Sequence, residues 1–115
     1  MGAWGYGSFE NDDSLDWLAD LELANDIQIL EDTLAAADGA DYLEISDASN
    51  AVAAAEVVAA LAGLPAADLP STAARWSTTH STTNLDPLIT LAARVINRVR
   101  YDSELAEMWV EVGAD

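Results

Sequence analysis

Apolar residues recur along this chain three or four positions apart, the period of a helix, and do not alternate as a half-buried strand would. In the first segment Leu15, Leu18 and Leu21 share one face with Trp17 beside it, while Asp12, Asp16 and Asp20 line the opposite side at i,i+4 spacing. Asn11 or Asp12 suits the N-cap, and acids in the first turn complement the helix dipole. A second segment sets Leu23, Ile27, Leu30 and Leu34 on one stripe, with Asn25-Asp26 either capping it or interrupting a longer helix. Asp38-Gly39 is the expected end, since glycine commonly follows the last periodic residue. A short extended link over 41–45 leads to the strongest helix, which starts at Ser46 or Asp47 and runs to about Gly63, with Pro65 beyond it.

That third helix is apolar nearly all round, from Ala51 through Val57 and Val58 to Leu61, and such a helix belongs at the centre of a core. Residues 64–84 carry a weaker signal. A turn of helix is expected near Leu69–Trp76, and the Ser/Thr-rich run Ser77–Asn84, which contains His80, reads as a surface loop. Asp86-Pro87 restarts a helix with Asp as N-cap and Pro at the first position. Leu88, Leu91, Ala92, Val95 and Val99 form its apolar face, and Arg94 and Arg98 occupy a different stripe. A final helix is expected from Asp102-Ser103, carrying Leu105, Met108, Trp109 and Val112. The prediction is one all-α domain over residues 1–115, five or six helices around a central Ala/Val-rich helix.

Charge narrows the function. Net charge is −17, with four arginines and no lysine. Residues 1–74 hold fifteen acids and no base; residues 75–115 hold six acids and all four arginines, so the halves carry −15 and −2. Direct binding to nucleic-acid phosphates draws on clustered Lys and Arg and is excluded on that ground. A basic protein partner fits such a surface, as does simple solvation in an acid-rich proteome. There is no cysteine, hence no disulfide and no thiolate metal site. The longest apolar stretch, Ala51–Ala62, is interrupted by Glu56 and too short to span a bilayer, and no basic n-region precedes an apolar run at the start. A cytoplasmic protein with no membrane partner is expected.

The opening MGAWG-x-G-x-FENDD-x-LDWLADL, continued by DYLEISDASNAVAAAEVVAALAGLP and SELAEMW, resembles a family of small, mostly bacterial proteins known as domain of unknown function 4259. The resemblance covers essentially the whole chain and implies an intact natural domain. It brings no activity, cofactor or catalytic residue with it.

Candidate chemistry must therefore come from the residues. Asp12, Asp16 and Asp20, with Glu10 and Asp13 nearby, offer oxygen ligands on one helix side and so a conceivable Mg²⁺ or Ca²⁺ site. The spacing lacks an ion-binding loop pattern, and a capped helix with a solvated acidic face is the simpler reading. Glu56 lies in a helix with almost no polar face, so packing should bury it against a cation. Arg94 or Arg98 is the expected partner, joining the third helix to the fifth in a structural pair. His80 has no evident triad partner, and no serine sits in a nucleophile elbow. No phosphate-binding glycine pattern follows a strand. No catalytic residue is assigned and no cofactor is expected.

Two functions are compatible with this. The preferred one is an interaction module that docks a basic partner, in the manner of an immunity protein or antitoxin against a cationic toxin. The alternative is a carboxylate-based, metal-dependent or small-molecule-binding enzyme centred on the N-terminal acids or Glu56. The glycine- and ring-rich opening reads as structural: Trp4, Tyr6, Phe9 and Trp17 are expected to pin the N-terminus against the third helix, whose small side chains leave room for rings.

Overall fold

The computed structural model describes residues 12–24, 26–64, 69–80 and 85–101. Among them lie five helices and no strand: α1 (Asp12–Leu23), α2 (Gln28–Gly39), α3 (Ile45–Leu61), α4 (Ser71–Thr79) and α5 (Asp86–Tyr101). The all-α expectation holds. The further helix expected from Asp102 lies outside the described residues.

α3 packs against each of the other four helices. Ala48, Ala51, Ala53 and Ala54 are fully buried on it together with Val57. Small side chains on several faces let neighbouring backbones approach, which is why the least polar helix takes the central place. Leu30 and Leu34 of α2, and Leu88, Val95 and Val99 of α5, complete the core around it.

α1 is rotated relative to the expected leucine stripe. Ser14, Trp17 and Leu21 are buried, whereas Leu15 is 49 % exposed. Trp17 is the reason: its ring claims the core position and its Nε1–H donates to Thr33 Oγ1 at 2.9 Å, tying α1 to α2. Ser14, one turn earlier, fits against α3 and donates to the Ser49 carbonyl at 3.4 Å. Leu23 closes α1 rather than joining the second stripe and is 81 % exposed. Asp26 Oδ1 accepts the Gln28 amide at 3.0 Å, so Asp26 marks a true break between two helices.

Helix ends differ in mechanism. Gly39 is the last residue of α2, without positive φ, and the backbone turns extended at Ala40. The left-handed glycine is Gly63, at φ +90°. Its amide reaches the Ala60 carbonyl at 3.0 Å and the Leu64 amide reaches Ala59 at 2.9 Å, the paired bonds of a Schellman cap on α3. α4 runs on to Thr79, through residues expected to form a loop. Ser77, Thr78 and Thr79 hydroxyls donate to the carbonyls of Ala73, Ala74 and Arg75, so each side chain's hydrogen bond is made inside the helix. No helix among the described residues is long and apolar enough to cross a membrane.

Candidate functional site

Exposed carboxylates recur from α1 to the first turn of α3. Asp16, Asp20 and Glu22 on α1, Asp26 before α2, and Glu31 and Asp32 on α2 are all exposed. Asp41 and Glu44 in the following link and Asp47 in the first turn of α3 are exposed as well. None of these forms an ion pair among the described residues, whereas Asp38 does. Gln28 Nε2 donates to both Glu31 and Asp32, at 3.0 and 2.8 Å, which holds two like charges side by side without neutralising them.

The arginines lie later in the chain, on α4 and α5, and Arg94 and Arg98 reach back to α2. Arg94 donates from Nε and Nη2 to the two oxygens of Asp38, both at 2.9 Å. Arg98, one turn on, donates to the Ala37 and Asp38 carbonyls at 2.8 and 3.2 Å and to the Asp41 carbonyl at 3.2 Å. The stripe of arginines on α5 thus clasps the C-terminus of α2, where helix carbonyls lack intrahelical partners and the dipole favours positive charge. The Arg94 guanidinium, chiefly through its hydrogen bonds, holds the Asp38 carboxyl below its ordinary value; desolvation opposes it. Asp38 in turn raises the Arg94 pKa.

The structure places Arg94, one of the two arginines expected near Glu56, on another carboxylate. Its partner is Asp38 on α2, because α5 packs against α2 as well as α3 and the nearest carboxylate lies at the α2 terminus. Glu56 is half-buried on α3. Of the expected N-terminal anchor, Trp17 is described and buried, with its indole N–H on Thr33; Trp4, Tyr6 and Phe9 lie outside the described residues. Of the three candidate metal ligands, Asp16 and Asp20 are exposed on α1, and the Asp12 side chain lies outside the described residues. Among the described residues no group of three or more His, Asp or Glu is placed to hold a metal ion.

A concavity of about 210 Å³ lies between the end of α1 and one stripe of α4. Glu22, Thr72, Arg75, Trp76, Thr79 and His80 line it. Trp76 is buried and its Nε1–H donates to the Ala24 carbonyl at 3.2 Å, which fixes α4 against the C-terminus of α1. His80 stacks on Trp76 with ring centroids 4.3 Å apart and planes 16° from parallel. Its Nδ1 lies 3.0 Å from the Trp76 carbonyl, and because a carbonyl only accepts, Nδ1 carries the proton. Sequence reading assigned His80 to a loop and missed this arrangement. The available signal was the Trp76–His80 spacing of one helical turn, which only makes contact if the intervening Ser/Thr run stays helical.

The model of the family described as Domain of unknown function (DUF4259) matches residues 2–115. The chain belongs to that family. No curated protein and no solved structure matches it. The features open to functional reading in this DUF4259 chain are therefore its own: the unneutralised acidic surface, the α2–α5 clasp and the α1–α4 concavity.

Proposed function

We propose that this protein is an acidic interaction module that docks a basic protein partner, in the manner of an immunity protein or antitoxin against a cationic toxin. One observation carries the reading. Exposed carboxylates from α1 to the first turn of α3 have no cationic partner among the described residues, while Arg94 and Arg98 are engaged at the C-terminus of α2. Self-repulsion at a net charge of −17 works against the compact state, and a complementary basic surface would relieve it. Long-range attraction would also speed encounter with such a partner and disfavour acidic competitors. On this reading the protein works in a bacterial cytoplasm and needs no cofactor.

The test is co-expression with the products of the neighbouring genes, followed by size-exclusion chromatography at low and high ionic strength. A defined complex that dissociates as salt rises supports the proposal. Absence of any complex at low ionic strength, or equal retention of unrelated basic proteins such as lysozyme, contradicts it.

A further inference from the structure

The α1–α4 concavity differs in chemistry from the surface around it. It brings one guanidinium, Arg75, to the same hollow as one carboxylate, Glu22. Neither forms an ion pair among the described residues. The hollow thus offers both signs of charge, contributed by two different helices whose relative position is fixed by the Trp76–Ala24 hydrogen bond.

His80 adds a third polar group of fixed orientation. Stacking on Trp76 and donation from Nδ1 hold the imidazole from two directions, which leaves Nε2, when unprotonated, as the free acceptor of the ring. The hollow therefore contains two groups that accept from a cation, Glu22 and His80, and one that donates to an anion, Arg75. We propose that it binds a small zwitterion bearing an ammonium and a carboxylate, of the size and class of a free α-amino acid.

Charge selects this class over its neighbours. A small anion would meet Arg75 only after approaching a molecule of net charge −17, against a field that salt screens beyond about 8 Å. A small cation would be drawn to exposed carboxylates all over α1 and α2 and would gain nothing from Arg75. A zwitterion has no net charge to be repelled or diverted, and inside the hollow each end finds its opposite. Charge-assisted hydrogen bonds at both ends are about twice as strong as neutral ones. A volume of about 210 Å³ falls below that of pockets for drug-sized ligands and suits a metabolite of a few non-hydrogen atoms. The inference stands independently of the docking of a basic protein.

His80 is the sole histidine, so its imidazole signals in an NMR spectrum of the full chain report on this hollow without overlap. The experiment titrates L-leucine and L-glutamine at matched pH and ionic strength, beside L-leucinamide, which keeps only the ammonium, and N-acetyl-L-leucine, which keeps only the carboxylate. The expected result is saturable movement of the His80 signals with the amino acids, and binding at least about tenfold weaker for both single-charge analogues. Arg75→Gln and Glu22→Gln, both at exposed positions, should each abolish the saturable movement while the remaining spectrum stays folded. No saturable movement with either amino acid, equal binding of an analogue, or persistence in either variant overturns the proposal.

Discussion

Arg94 and Asp38 meet through two parallel hydrogen bonds of 2.9 Å, a fork-to-fork contact that lays α5 across the C-terminus of α2. Such geometry depends on the planar guanidinium and not on charge alone. Arg94→Lys should therefore lower the melting temperature, and Arg94→Gln should lower it further. A lysine variant that melts with the wild type would show that a point charge suffices.

The same contact has a pH signature. Because Asp38 titrates below its ordinary value of 3.8 in the folded protein, its stabilisation is present above that value and is lost as pH falls through the lower, folded one. The melting-temperature difference between wild type and Asp38→Asn should be constant near neutrality and shrink below about pH 4. Comparing the two proteins removes the common effect of neutralising the other acids. A difference that persists into strong acid would contradict the pairing.

Two glycines predict opposite outcomes for one substitution. At Gly63 a Cβ meets nothing within 4 Å, so the cost of Gly63→Ala is that of φ +90° alone, about 1–2 kcal/mol by urea denaturation. Gly63→Asn should recover part of it. At Gly39 there is equal space and no positive φ, so Gly39→Ala should stabilise by about 0.4–1 kcal/mol. Equal signs at both positions would refute the assigned caps.

Trp17 should be the most sensitive residue of α1. Trp17→Ala is expected to cost about 3–5 kcal/mol through the cavity it leaves. Thr33→Val, which keeps the shape but removes the acceptor for Nε1, should cost about 1–3 kcal/mol. Chemical denaturation that finds Thr33→Val neutral would mean the indole N–H is satisfied elsewhere.

Which parts of this were legible in the sequence follows from the range of the forces involved. The centrality of α3 was, because a helix apolar on several sides has few other places to go. The core face of α5 was as well, since Leu88, Val95 and Val99 keep helical spacing. The rotation of α1 was not: periodicity ranks Leu15 above Ser14, yet a small hydroxyl that reaches the Ser49 carbonyl fits beside Trp17. α4 was read too short because Ser and Thr favour loops on average, and local propensity does not register their bonds back to carbonyls four residues earlier. The partner of Arg94 and the α1–α4 concavity depend on which helices become neighbours, and no local pattern encodes that.

A docking role for the acidic surface makes binding depend steeply on salt. Isothermal titration with a basic protein captured in the co-expression experiment would be run over a range of NaCl concentrations. The comparison is between wild type and a variant carrying Asp16→Asn, Asp20→Asn, Glu31→Gln and Asp32→Asn, all exposed positions. Wild-type affinity should fall steeply as salt rises, while the variant should bind at least about tenfold more weakly at low salt and with a shallower slope. Equal affinity and equal slope for the two proteins would contradict the claim.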